Sequence, residues 1–329
     1  MRIQIKEKLT PFSHLPGTRC LIPFTSWEVA IYPAKLIFSN LEGGQTKEMA
    51  LPIEGPVKRF TATQNLEKGF VEVHGLGKKG LFSYRIEKEA LIWKKGMKMA
   101  LPFLKPVELS QNPLRLSLGI YKRQNWEKVK ERLDLKEILP FWLRLSALTP
   151  KASLPTKICG TYQLALEKWD KQIAVSHFEN FFQVAFQGIL SPRVEDENHL
   201  GLCREEKIPA TISPLPLIHK GASQILSLFF VEDEEKVYLL PSLPKEFHAG
   251  RLIGCKSNVN ALIDLEWSKK KLKKVVIHPK EDGEMNFVLQ QGISSYRVRK
   301  SVRQKGELVS SKQPLPLRKG QRLHLDRFC

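Results

Sequence analysis

No run of this chain approaches the roughly 18 consecutive apolar residues that a membrane-crossing helix needs, so no helical membrane span is expected. The first residues, Met1-Arg2-Ile3-Gln4-Ile5-Lys6, lack the apolar stretch of a secretory signal. Cytoplasmic residence is the expectation, with export by a route without a cleaved signal left open. Cysteine is sparse: Cys20, Cys159, Cys203, Cys255 and Cys329 are odd in number and far apart. None stands at CxxC spacing, so neither a zinc ribbon nor a disulfide framework is indicated, and reduced, mostly buried thiols are expected. Metal-binding motifs of the HExxH or EF-hand kind are missing, and no cofactor is implied. Gly75, Gly77 and Gly80 do not form a GxGxxG opening a helix, which leaves a hairpin turn as their reading. Acidic residues are also short, 34 against 53 lysines and arginines, giving a net charge of +19. Such a balance admits nucleic acid, an anionic surface or an acidic partner. No RNP motif, zinc finger or helix-turn-helix signal accompanies it.

What is present is a chain of 329 residues, 42% hydrophobic, enough for a substantial core spread over two or three packed units. Residues 1–109 read as β. Trp27-Glu28-Val29-Ala30-Ile31-Tyr32 and Lys35-Leu36-Ile37-Phe38 are short apolar runs, and Phe70-Val71-Glu72-Val73-His74 alternates with period two, the pattern of a sandwich. Pro102, Pro106 and Pro113 mark a change of character. Residues 110–235 read as four or five helices. Trp126, Val129, Leu133, Ile138, Trp142 and Leu145 fall close to one face, with Pro140 expected to kink or end that helix. Thr161 is a candidate N-cap for a helix carrying Tyr162, Leu166, Trp169 and Ile173. Phe178, Phe181, Phe182, Ala185 and Ile189 form a further stripe, read as core. A last helix is expected around residues 218–230, followed by Glu232-Asp233-Glu234-Glu235. Acids oppose the macrodipole at a helix C-terminus, so the tetrad is read as a turn. Residues 236–329 read as antiparallel β. The fold class expected is α+β and multidomain.

Three groups of residues carry possible chemistry. Glu195, Asp196, Glu197 and His199 gather carboxylates beside an imidazole, a set suited to acid–base work or, at most, a cation, although a solvated loop has the same composition. Trp126 and Trp142, with Arg193, offer stacking and hydrogen bonding to a ligand. Trp27, Trp93 and Trp169 are further aromatic candidates, and core packing explains most of these rings equally well. Lys269, Lys270, Lys271, Lys273 and Lys274, with Arg297 and Arg299, form the densest basic strands and are the candidates for an anion-binding face.

One stretch has specific character. Tyr238-Leu239-Leu240-Pro241-Ser242-Leu243-Pro244 is followed by Gly250-Arg251-Leu252-Ile253-Gly254, Asp264-Leu265-Glu266-Trp267 and Lys271-Leu272-Lys273-Lys274-Val275. Over residues 205–280 this order resembles the junction between catalytic barrel and C-terminal β domain in glycoside hydrolase family 95, the alpha-L-fucosidase and alpha-L-galactosidase type. The resemblance implies an ancestor with an (α/α)6 barrel of twelve helices, far more than residues 110–235 can hold. It also implies that the active-site Asp-Gly-Asn-Phe-Gly-Gly segment falls on Pro216-Leu217-Ile218-His219-Lys220-Gly221, where Pro216 stands in the place of the acid. A glycosidase needs a proton donor and a base flanking the scissile bond, and proline supplies neither. Asp264 and Glu266, two apart on one strand, lie in the accessory domain by the same resemblance. The expectation is a cut-down, non-catalytic binding or scaffolding protein with a glycan or protein partner. A small glycoside hydrolase with a rebuilt carboxylate site is the alternative, and a polyanion binder acting through the basic C-terminal strands is the third.

Overall fold

The computed structural model describes residues 3–109, 114–120, 122–167, 173–197, 212–301 and 303–329. The architecture is mixed α+β: antiparallel sheets in the N-terminal part, five helices among the described residues in the middle, and antiparallel sheets at the C-terminal end. No helical barrel is closed by the described residues. The chain divides into two compact units. One comprises Lys8–Ser110 with Lys122–Ala222, the other Met1–Glu7, Gln111–Tyr121 and Ser223–Cys329.

The first unit begins with ten strands, β1 (Phe12–Ser13), β2 (Thr18–Leu21), β3 (Trp27–Tyr32), β4 (Lys35–Asn40), β5 (Thr46–Ala50), β6 (Lys58–Asn65), β7 (Phe70–Gly77), β8 (Gly80–Ile86), β9 (Ala90–Trp93) and β10 (Lys98–Ala100). They form two antiparallel sheets, ordered β2-β3-β4-β5 and β1-β6-β7-β8-β9-β10. The period-two pattern places Val71, Val73, Tyr84, Ile86 and Leu91 on one buried face of the larger sheet. Cys20, Val29, Ile31, Leu36 and Phe38 are buried on the smaller one. The Gln64 side-chain amide donates to the Leu21 carbonyl at 2.8 Å and so ties one sheet to the other. The three glycines at 75, 77 and 80 lie in the β7–β8 hairpin, as the sequence indicates.

After β11 (Arg115–Ser117), which belongs to the other unit, come α1 (Trp126–Arg132), α2 (Leu135–Ser146), α3 (Tyr162–Leu166) and α4 (Ala174–Ala185). The helical stripe expected from Trp126 onward breaks between α1 and α2, not at proline. Leu133 adopts a left-handed conformation (φ 47°) that closes α1. The Asp134 carboxylate then accepts from the Lys136 N–H at 3.0 Å and starts α2. Pro140 lies inside α2, which continues through it. The helix is held on its buried side by Leu135, Ile138, Leu139, Trp142, Leu143 and Leu145. Burial of this set outweighs the roughly 3 kcal/mol that a helical proline costs, because each such side chain contributes about 1.5–3 kcal/mol. Thr161 precedes α3 but does not cap it; its hydroxyl donates to the Arg193 carbonyl at 2.8 Å. Of the stripe assigned to that helix, Trp169 lies outside the described residues and the helix ends at Leu166. The Phe-rich α4 is core: Phe178, Phe181 and Phe182 are at most 3% exposed. Two short strands follow, β12 (Phe186–Gln187) and β13 (Ser191–Pro192), paired antiparallel. α5 (Leu215–Ser227) begins in this unit and ends in the other.

The other unit then carries β14 (Phe230–Glu232), β15 (Lys236–Leu239), β16 (Gly250–Lys256), β17 (Ala261–Ser268), β18 (Lys271–Pro279), β19 (Gly283–Val288), β20 (Ser295–Arg299), β21 (Glu307–Ser310), β22 (Leu315–Leu317) and β23 (Leu323–Asp326). A seven-stranded antiparallel sheet runs β11-β16-β17-β18-β23-β20-β21. A four-stranded one runs β14-β15-β19-β22, with β15 and β19 as its parallel pair. Of the four acids after α5, Glu232 ends β14, paired with Val237, and Asp233, Glu234 and Glu235 form the β14–β15 turn: the Asp233 carboxylate accepts from the Glu235 and Lys236 N–H groups at 3.0 and 2.7 Å. Trp267 stacks on Phe229 at 5.1 Å, and its indole N–H donates to the Phe247 carbonyl at 3.1 Å.

Candidate functional site

The first unit holds an open cleft of about 470 Å³, built where α1, α4 and β12 meet. Asn125 caps α1 by accepting from the Lys128 N–H at 3.2 Å, which fixes Trp126 in the first turn and sends Lys130 toward the cleft. Trp126 meets Phe141 edge-on at 5.4 Å and Phe182 at 6.1 Å, while Phe182 stacks on Phe186 at 6.2 Å. These rings make an aromatic floor. Gln183, from the last turn of α4, and Gln187, from β12, place carboxamides on the walls, with Lys130, Arg193 and Glu197 completing the polar lining.

Arg193 holds this corner together. Its Nε donates to the Val184 carbonyl at 2.9 Å and its Nη2 to the Gln183 carbonyl at 3.3 Å. Its backbone N–H takes the Ala185 carbonyl at 2.8 Å. One residue thereby satisfies three carbonyls at the C-terminal end of α4, where a cation also suits the helix dipole. Gly188, at φ 51°, turns the chain beside Arg19; a Cβ there would stand 2.1 Å from the Arg19 carbonyl oxygen. Behind the turn, the buried Glu28 carboxylate accepts from Arg19 at 2.6 Å and from the Ser191 hydroxyl. Burial, and secondarily Glu28, pushes the neighbouring Cys20 thiol well up, so it stays protonated and inert.

The carboxylate loop does not converge on one point. Glu195 and Glu197 are exposed, whereas Asp196 is 3% exposed with its Oδ1 3.9 Å from Arg193. Glu197 lines the cleft. His199 lies outside the described residues. Of the tryptophans, Trp126 contributes to the cleft while only 1% exposed. Trp142 is fully buried against Phe178, Phe181 and Phe186, its indole N–H donating to the Ile218 carbonyl at 3.0 Å. Gly221 in α5 allows that approach, since a Cβ would come within 2.0 Å of the Trp142 ring. Pro216 occupies the first turn of α5. Lys130, Gln183 and Gln187 were not singled out by the sequence. Two glutamines beside a phenylalanine stripe give no local pattern, and only the packing of α4 against α1 makes them neighbours.

The basic candidates separate into two sets in the other unit. Lys274 pairs with Glu266 at 3.4 Å; Arg297 pairs with Asp326 at 2.7 Å, and Arg299 also reaches Asp326. Burial alone would raise the Asp326 carboxyl, but the bonds and charges of Arg297 and Arg299 outweigh it and hold it below the usual range. Lys269 and Lys270, both left-handed at φ 52° and 62°, form the two-residue β17–β18 turn. Lys273 is the extra residue of the bulge opposite Glu266 and Trp267. Lys269, Lys271 and Lys273 are exposed. Asp264 accepts from the Gly254 N–H at 2.9 Å and faces His278 Nε2 at 3.4 Å, while Glu266 also pairs with Arg251 at 3.1 Å. Both carboxylates thus belong to the sheet's own network, on an inner strand.

Compared with known families, residues 233–322 match the model for the glycoside hydrolase family 95 C-terminal domain. The match covers strands β15 to β22 and includes the motifs from Tyr238 to the β18 lysines that carry the resemblance. No curated protein matches the chain.

Proposed function

We propose that the protein is a non-catalytic, glycan-binding relative of carbohydrate-active enzymes, and that the cleft over Trp126, Phe182 and Phe186 is its binding site. The observation that carries this reading is the composition of the lining. Two carboxamides, a lysine and an arginine surround an aromatic floor, and Glu197 is the one carboxylate there among the described residues. Sugars are recognised by planar polar groups around an apolar base, and a volume of about 470 Å³ falls in the range of small-ligand pockets. Hydrolysis of a glycoside calls for two carboxyl groups flanking the bond. The match of the C-terminal strands to a glycosidase accessory domain supports the ancestry and leaves the activity to the cleft. A small hydrolase with a rebuilt site is the second reading, and it rests on the placement of Glu197 in the wall.

The test is a binding titration with fucose-, galactose- and uronate-containing oligosaccharides against wild type and the double variant Gln183→Ala, Gln187→Ala. Loss of two hydrogen-bonding side chains is expected to weaken binding about ten- to hundredfold. Saccharide binding unchanged in the double variant contradicts the assignment of the cleft.

A further inference from the structure

The larger N-terminal sheet presents a second surface, distinct from the cleft. Strand polarity brings five strand ends to one end of this sheet. β6 starts there at Lys58, paired with Leu76 near the end of β7. The β7–β8 hairpin turns there through Lys78 and Lys79, with Gly77 opposite Gly80. The β9–β10 connection turns at the same end through residues 94–97, because Trp93 pairs with Tyr84 and the Lys94 N–H donates to the Ser83 carbonyl at 2.9 Å. With strands about 4.8 Å apart, these ends span about 19 Å.

The side chains at this end share two properties. Lys58, Arg59, Lys78, Lys79, Lys94, Lys95 and Lys98 are all exposed. Glu54, a few residues before β6, pairs with Lys79. Among the cations are the most exposed large apolar side chain of the described residues, Leu81 at 83%, and Met97 at 56%, with Met99 at 37% on the adjoining edge strand. Neither property has an explanation within the fold. Leu81 and Met97 cover no core, and the cations, Lys79 apart, meet no carboxylate among the described residues.

We propose that this end of the sheet docks on an anionic phospholipid surface, the lysines and Arg59 meeting headgroup phosphates while Leu81 and Met97 enter the acyl boundary. Charge alone fits any polyanion. Apolar side chains at the hairpin tips gain nothing from a phosphate backbone in water but do gain from transfer into hydrocarbon, which favours the lipid. Long lysine side chains flanking them reach back to the headgroups.

The experiment is cosedimentation of the full chain with vesicles of phosphatidylcholine alone or with a third of phosphatidylserine. The expected result is binding to the anionic vesicles only. The triple variant Lys78→Gln, Lys94→Gln, Lys95→Gln should weaken it about a hundredfold, from about fivefold per basic residue. The double variant Leu81→Ser, Met97→Ser should weaken it at every salt concentration, with unchanged thermal melting because these side chains are exposed. Failure to sediment with anionic vesicles overturns the proposal. So does heparin capture with vesicle binding indifferent to Leu81 and Met97, which assigns the surface to a soluble polyanion.

Discussion

At the scale of single residues, two positions report how tightly the first unit is fitted. The Tyr84 hydroxyl is buried and has no hydrogen-bond partner among the described residues. Burial pushes its ionisation far up, so it remains a neutral and unsatisfied group. Such a group costs about 1–3 kcal/mol, and Tyr84→Phe is expected to raise the melting temperature. A clear fall on calorimetry would show that the hydroxyl is satisfied. Gly221 behaves in the opposite way. A methyl group at this position meets the Trp142 ring at 2.0 Å, and Gly221→Ala is expected to destabilise by about 1–3 kcal/mol despite its better helix propensity. Urea unfolding decides between packing and propensity, since the two predict opposite signs. The same glycine shows what a family signature can hide. It reads as a remnant of an active-site segment, yet in this chain its use is the approach of α5 to α2.

At the scale of elements, the matched C-terminal strands explain themselves as packing. Gly250 leaves room for Trp267, whose ring a Cβ would meet at 2.3 Å, and Gly254, at φ 78°, forms a bulge whose N–H is taken by Asp264. The glycine stretch and the Asp-Leu-Glu-Trp strand are therefore two halves of one device. That much of the sequence was legible because spacing and residue type both point to strands β16 and β17. The α1–α2 break was less so, since Pro140 is the more conspicuous signal and tertiary burial of α2 overrides it. The cleft was the least legible. It depends on contacts such as Ser191 to Glu28, 163 residues apart, which no local period encodes. On the same C-terminal sheet, His324 supplies a pH response. Burial first, then neighbouring positive charge, that of Arg322 and Arg299 included, lowers its pKa to about 4 from the ordinary 6.5. Between these values the unfolded chain binds the proton and the native one does not. Stability present above pH 6.5 is thus lost as pH falls toward 4, by at most about 1.4 kcal/mol per unit. Denaturant midpoints at pH 7 and 5 should show the loss, and His324→Gln should flatten it; an equal slope in the variant assigns it to other groups.

At the scale of the whole molecule, the net charge of +19 is not spread evenly in its consequences. Where arginines face carboxylates, as at Asp326 and Glu266, the charge is spent inside the sheet. Glu137 follows the same logic: burial would raise its carboxyl, but Arg132 and Lys122 outweigh it and hold it low. Other cations are exposed, among them those of the β17–β18 hairpin and those at the tips of the N-terminal sheet. The central claim concerns the cleft: a sugar is held there and not cut. The most direct measurement pairs a calorimetric titration of a saccharide panel with product analysis of the same mixtures, α-L-fucosides and α-L-galactosides included. The account predicts saturable binding and no released sugar after prolonged incubation. Release of free sugar by the wild type, abolished in Glu197→Gln, would contradict it.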